Sequence, residues 1–330
     1  MTAHRTRVLT ILGLCFLTAC STETPSPEPG DPLKRQGDEI VVAGQFFHTG
    51  TKVVLWMDPL GYDAYRPHRA FSTGEGPSGN PSRIARFGSF RRKLPEDLKE
   101  RVAKRGWTRE DLAKVVSQVV IHFDACGTSR RCFEVLHDIR GLSSHFMIDL
   151  DGTVYQTLDL KERAWHAAQA NDQSVGIEIA HIGAHEDPKT FADWYSKDEK
   201  GLRVTVPEKT PRGHLPEDFV GRPPRQDLFE STINSRKVKQ HDFTEKQYAA
   251  LEKLLVTLCR VFPKVKAEAP RAADGSVLMT TLPSDEVLFA FEGLVAHHHI
   301  SKGKIDPGPA FDWDRVLGAL RSAGIPHEKQ

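Results

Sequence analysis

The pattern of apolar and polar positions changes character several times along the chain. A first apolar run, residues 8–17, is about ten residues long; that is the length of an export-signal core and too short to cross a bilayer. Residues 39–56 (EIVVAGQFFHTGTKVVLW) read as strands broken at Thr49-Gly50. Residues 71–82 are rich in Gly, Pro and Ser and read as a loop. Residues 95–104 and 108–117 predict two short helices, the second capped by Thr108 with Asp111 three positions on. Residues 119–123 (VVIHF) predict a buried strand, and 132–140 a helix. Two short strands flank Asp151-Gly152, a hairpin-turn pair, and 175–180 (VGIEIA) predict another strand. Thr244 caps a predicted helix to about Val261, with apolar positions at Tyr248, Leu251, Leu254, Leu255 and Leu258. Residues 293–299 read as a strand or strand end, and 311–322 as a closing helix. Residues 183–240 are polar, Pro-rich and weakly patterned, and read as a long insertion.

The N-terminus adds an address. His4, Arg5 and Arg7 precede the first apolar run, which ends in Leu17-Thr18-Ala19-Cys20. Small residues before a Cys resemble the lipobox of bacterial lipoproteins, where Cys20 would take lipid and become the mature N-terminus. Residues 21–32 (STETPSPEPGDP) cannot pack a core and suit an extended tether. Ser21 is not the Asp that resembles an inner-membrane retention signal, so the expected location is the periplasmic face of an outer membrane. The expected organisation is a signal at 1–19, a tether at 20–38, an accessory segment at 39–114 and a main domain at 115–322.

Charge excludes one class of partner. Lys plus Arg number 45 against 44 Asp plus Glu, so nothing suggests a surface built to neutralise nucleic acid. No protein partner is indicated. Cys126 and Cys132 lie six apart, and an oxidising compartment would allow them to bridge. Cys259, within an apolar helical run, reads as a buried small hydrophobe.

Candidate chemistry centres on histidine. His122 ends one apolar strand, His297, His298 and His299 end another apolar run, and Asp306 follows in an Asp-Pro-Gly turn. Two imidazoles and a carboxylate make a sound catalytic zinc shell with one position left for water. On spacing alone the signal is weak, because a strand histidine is more often a satisfied core residue.

Five segments in order strengthen it: Val120-Ile121-His122; 143–148 (SSHFMI) with Asp151-Gly152; 163–167 (RAWHA); Asn171 with 175–178 (VGIE); and 304–313 (KIDPGPAFDW). With these, residues 115–320 resemble the type-2 zinc N-acetylmuramoyl-L-alanine amidases, the family shared by anhydro-muropeptide amidases, phage endolysins of this kind and peptidoglycan recognition proteins. The resemblance implies an α/β fold, with a central mixed sheet flanked by helices and Zn2+ in a surface groove. It implies hydrolysis of the bond between N-acetylmuramic acid and L-alanine, with peptidoglycan or a muropeptide as substrate. It assigns His122, His297 and Asp306 as metal ligands, Glu178 as catalytic carboxylate and Lys304 as catalytic lysine. His145, Trp165, His166 and Asn171 would line the substrate site, and the Cys126–Cys132 spacing is similar to the small disulfide loop of the recognition-protein branch.

Two departures leave alternatives open. Ala296 stands where the family has Gly, and strand alternation would put His297 and His299 on one face, so His299 rivals His297 as second ligand. A non-catalytic sensor using the same groove is the alternative function, though such relatives typically lose a ligand and here a full set can be drawn. A zinc peptidase lacks its His-Glu-x-x-His helix.

Overall fold

The computed structural model describes residues 28–72, 85–91 and 94–327. The signal segment and Cys20 lie outside the described residues. Contacts divide the chain into Met1–Arg35 and Gln36–Gln330, and every element below belongs to the second unit. Within the first, the Asp31 carboxylate accepts from the Glu28 amide at 2.8 Å.

Strands β1 (Glu39–Val42) and β2 (Gln45–His48) form a hairpin. Its turn needs positive φ at Ala43 and Gly44, and the Asp159 carboxylate stabilises that turn by accepting both their amides at 2.7 and 2.8 Å. There follow β3 (Val53–Leu55) and β4 (Phe87–Gly88), then helices α1 (Glu96–Arg105) and α2 (Arg109–Val115). Thr108 and Asp111 close the expected capping box on α2. Strand β5 (Gln118–Phe123) leads to α3 (Ser129–Phe133), which continues as a wider π-type turn over Glu134–Arg140. Strands β6 (Phe146–Ile148) and β7 (Val154–Gln156) make the expected hairpin, followed by β8 (Arg163–Ala164) and β9 (Ser174–Ile179).

The region expected to be a weakly patterned insertion is ordered. It holds the hairpins β10 (Tyr195–Asp198)–β11 (Gly201–Val204) and β12 (Leu228–Ile233)–β13 (Arg236–His241). Phe191, Tyr195, Leu202, Val204 and Leu215 form a small core there together with Leu150 and Ala180 from outside the insertion. The chain closes with α4 (Glu245–Val261), α5 (Asp285–Ala290), β14 (Gly293–Ala296), α6 (His297–Ile300) and α7 (Trp313–Ser322).

Six strands form the central sheet in the order β14-β5-β9-β6-β7-β3, every pair parallel except β6–β7. Successive strand residues point to opposite faces. On one face Val119, Ile121, Val175, Ile177, Phe146 and Leu294 pack under Leu251, Leu254, Leu255 and Leu258 of α4 and Val316 and Leu320 of α7. At about 2 kcal/mol for each fully buried aliphatic side chain, this layer outweighs the roughly 1 kcal/mol of the Thr244 cap that starts α4. On the other face Met147 and Tyr155 pack against Phe133 and Leu136. The fold is therefore α/β, a mixed sheet flanked by helices. The segment expected to be accessory is built into it: β3 is an edge strand, and Ile40, Val42 and Leu55 belong to the main core.

Buried charge staples the loop 59–71 to this framework. Asp138, fully buried, accepts the amides of Ala70, Phe71 and Ser72 at 2.7, 2.8 and 3.2 Å. Burial alone would raise its pKa, but the His137 hydrogen bond and these amides hold it down at about 2. Arg86, 1% exposed, donates to the carbonyls of Arg66, Pro67 and His137. Asp138→Ala leaves several of these donors unpaired at once. It is expected to lower stability by about 3 kcal/mol, read as a fall in the urea midpoint without a change in slope.

Candidate metal centre

Parallel pairing sets Ala296, the last residue of β14, opposite Ile121 of β5. The next residue of each strand therefore emerges at the same end of the sheet, and these are His297 and His122. The loop after α6 returns Asp306 to the same point. His122 Nδ1 lies 3.0 Å from His297 Nδ1 and 2.8 Å from Asp306 Oδ2, and His297 Nδ1 lies 2.9 Å from that oxygen. All three side chains are buried.

This donor set fits a zinc ion. A tetrahedral shell with bonds of about 2.0–2.2 Å has ligand–ligand edges near 3.3 Å, so the observed triangle is the right size to within about half an ångström. Two ring nitrogens and a carboxylate oxygen converging at this range are favourable only around a cation or shared protons. Burial, then the neighbouring His297, pushes His122 down to about 4, which keeps it in the neutral form that ligates. For Asp306 burial acts upward, but His297 and the hydrogen bonds from His122 and His297 hold the carboxyl far below its usual range.

One expectation is corrected at the second ligand. Residues 297–300 form a helical turn rather than a continuing strand, so His297 and His299 do not share a face. His299 Nδ1 accepts the Ala296 amide at 3.0 Å and its Nε2 donates to the Leu278 carbonyl at 2.7 Å. His298 bonds the Asp306 and Leu278 carbonyls, both at 3.1 Å. Both rings brace the turn that presents His297.

His122 is oriented from behind. Its Nε2 lies 3.0 Å from His166 Nδ1, and His166 Nε2 lies 3.3 Å from Ser174 Oγ. A partner on the far nitrogen of a ligating histidine fixes its tautomer and ring plane. Room for His166 comes from Gly176, where a Cβ would fall 2.6 Å from the His166 ring. Asn171 Oδ1 accepts the amides of His166 and Ala167 at 3.2 and 2.7 Å and so shapes the loop that carries His166.

Glu178 is the cross-strand neighbour of His122 in the β5–β9 register and is 8% exposed. Burial, then the charges of Asp306 and Asp124, raises its pKa well above the usual carboxylate range. Glu178, Lys304, Trp165 and His166 join the three ligands around one cavity of ≈ 160 Å³. A more open groove of ≈ 520 Å³ shares Trp165, His166, His297 and Lys304 with it and extends to Arg163 and Asn171.

Three assigned residues behave differently from expectation. His145 lines neither space. It is fully buried, its Nε2 donating to the Glu162 carbonyl and its Nδ1 accepting the Gly176 amide, both at 3.1 Å. It braces the core beneath β9. Cys126 and Cys132 are free thiols here, not the expected disulfide. Both line the cavity, and burial, then a hydrogen bond with Cys126, pushes the Cys132 thiol up.

The sequence reading missed Arg140 and Asp124. Arg140 lines both spaces, and its place at the end of a helix gave no sign of that. Asp124 also lines the cavity, its Oδ1 accepting the amides of Cys126, Gly127 and His181. Burial pushes it up to about 7. A carboxylate two positions beyond a strand histidine was the signal available.

Residues 112–309 match the family described as N-acetylmuramoyl-L-alanine amidase. The chain is 22% identical over 198 residues to the 1,6-anhydro-N-acetylmuramyl-L-alanine amidase AmpD of Haemophilus influenzae, covering 57% of this chain and 64% of that relative. The match thus spans just under two thirds of the relative's length. Among solved structures, the amidase AmiD from E. coli, in complex with the substrate anhydro-N-acetylmuramic acid-L-Ala-D-gamma-Glu-L-Lys, is 18% identical with a TM-score of 0.36, over 68% of this chain and 61% of that one. The Staphylococcus aureus hydrolase AmiA is 11% identical with a TM-score of 0.34, over 72% and 94%. Because the family match at 112–309 takes in more than half of the chain, this protein belongs to the N-acetylmuramoyl-L-alanine amidase family.

Proposed function

We propose that the protein is a zinc-dependent amidase that hydrolyses the bond between N-acetylmuramic acid and L-alanine in peptidoglycan or muropeptides. The observation that carries this reading is Glu178 placed on the strand beside His122, facing the cavity that His297 and Asp306 complete. His122, His297 and Asp306 would hold the ion, which when bound polarises a carbonyl and acidifies water. Glu178 accepts the proton of the attacking water and returns it to the departing alanine nitrogen, a task that its raised pKa suits. The Lys304 ammonium stabilises negative charge developing on the scissile carbonyl oxygen. Trp165 and Asn171 border the groove where the chain on either side of that bond would lie. A complete ligand set together with a proton carrier favours an enzyme over a sensor.

The test is product chemistry. Purified sacculi and a monomeric muropeptide are each incubated with the protein, with and without a zinc chelator, and analysed by mass spectrometry. Free stem peptides beginning with L-alanine, released only without chelator, are expected. Binding of muropeptide with no such release across metals and pH would establish the sensor reading instead.

The address is part of the proposal: Cys20 carries lipid and tethers the domain to the outer membrane. Cys20→Ser is expected to move the protein from the membrane to the soluble fraction, or to leave it unprocessed, with loss of labelled lipid. A wild-type protein that takes up no lipid and fractionates as soluble overturns it.

A further inference from the structure

The insertion reaches the candidate metal centre through the tip of its second hairpin. Strands β12 and β13 pair Ile233 with Arg236, which leaves Asn234-Ser235 as a two-residue turn. Both turn residues have positive φ, 47° and 67°, as a tight turn between twisted strands demands, and asparagine tolerates that region better than most residues. The Asn234 side chain has a second task. Its Nδ2 donates to the carbonyls of Lys304, His298 and Ser301 at 2.9, 3.1 and 3.2 Å. Its Oδ1 accepts the Thr281 amide at 2.9 Å, and its own amide donates to the Met279 carbonyl at 3.1 Å. Next to it, Ile233 and Val238 share a buried cluster with Ile305, the residue between Lys304 and Asp306.

We propose that Asn234 is a positioning residue of the amidase: it holds the turn 301–304 so that the Lys304 ammonium stands at the cavity. The inference rests on the amidase reading, in which Lys304 stabilises charge on the scissile carbonyl oxygen. The turn has little else to fix it. Its own bonds run from the Ser301 amide to the His297 carbonyl at 3.1 Å and from the Lys304 amide to the Ser301 carbonyl at 3.0 Å, and Lys302 and Gly303 at its apex are exposed. Among the described residues, no side chain other than Asn234 hydrogen-bonds the backbone of 301–304. Three carbonyl oxygens converging on one point repel one another unless a donor sits among them, so the turn keeps this shape only with the amide in place. Asp306 has separate support, because its carbonyl accepts from the amide and the Nδ1 of His298 at 3.2 and 3.1 Å. Loss of the Asn234 amide should therefore loosen Lys304 and spare the zinc ligands. The insertion is then part of the catalytic centre, since its hairpin tip sets where a catalytic cation stands.

The experiment uses the full chain as wild type, Asn234→Gly, Ser235→Gly, Lys304→Met and the double variant Asn234→Gly/Lys304→Met. Glycine accepts positive φ, so Asn234→Gly keeps the hairpin turn and removes only the side-chain amide. Ser235→Gly alters the same turn and leaves the amide in place. Hydrogen exchange of the amides of 301–304 is measured on metal-free protein, zinc affinity by competition with a chromogenic chelator, and kcat and KM on a monomeric muropeptide. Asn234→Gly is expected to speed exchange in the turn by roughly tenfold or more and to lower kcat by roughly tenfold, with KM and zinc affinity within about threefold of wild type. Ser235→Gly should match wild type in all four. In the Lys304→Met background Asn234→Gly should cost almost nothing further in kcat, because the group it positions is gone. Wild-type exchange in Asn234→Gly, or an equal loss of kcat with and without Lys304, overturns the proposal. A wild type that releases no stem peptide overturns the amidase reading, and the exchange comparison then decides by itself whether Asn234 holds the turn.

Discussion

Replacing His122 with alanine is expected to remove zinc and turnover together. The imidazole supplies one of three converging donors, so two remain at 2.9 Å from each other, His297 Nδ1 and Asp306 Oδ2. A catalytic zinc site normally keeps three protein ligands, and two hold the ion far less tightly. Without the ion the reaction loses several kcal/mol of charge stabilisation, so turnover should fall by at least about 10³-fold. Zinc content by elemental analysis and release of stem peptide are measured on the same preparation, with far-UV circular dichroism to show that the sheet is intact. His299→Gln is the informative companion. His299 bonds the Ala296 amide and the Leu278 carbonyl and makes no approach to the ligand triangle, so zinc should be retained. Full activity in a demonstrably metal-free preparation of wild type would falsify the metal reading, and loss of zinc from His299→Gln with the fold intact would return His299 as a ligand.

Much of this centre was legible because its strands are buried on both faces. Runs such as VVIHF and VGIEI then stand out as near-continuous apolar blocks, and a single His or Glu within each is conspicuous. The capping boxes at Thr108 and Thr244 and the Asp-Gly hairpin were equally local. What the chain hid was decided by tertiary contacts. The segment after Ala296 is too short for periodicity to distinguish a strand end from one helical turn, and the carbonyls of Leu278 and Asp306 with the Ala296 amide decide where His298 and His299 point. The inward ring of His145 and the groove-side ring of His166 come from similar strings of small and aromatic residues. Position in the sheet, not residue type, makes one a brace and the other the support of His122. In residues 183–240 the strands are short and one face is exposed, so polar residues outnumber the few that form the local core.

Glu178→Gln is expected to separate the metal from the chemistry. Glutamine keeps the length and planar end of the side chain, and the position is 8% exposed, so the strand should not rearrange. It removes the group that accepts and returns a proton. Glu178 lines the cavity but stands outside the triangle of His122, His297 and Asp306, so the donor set is untouched. Zinc content and muropeptide affinity should therefore match wild type while kcat falls by roughly 10²-fold or more, the usual worth of a positioned general acid–base. The wild-type carboxyl is also destabilised as an anion by burial and by Asp306, so the amide should not weaken the fold. Lys304→Met is expected to lower kcat with zinc retained as well, since it removes only a cation beside the cavity. Combining the two separates proton transfer from charge stabilisation. If they act on the same transition state through different atoms, the double variant is slower than either, whereas equal rates would mean that the second group matters only when the first is present. A fully active Glu178→Gln would place the proton carrier elsewhere, with Asp124, the other raised carboxyl of the cavity, next in line.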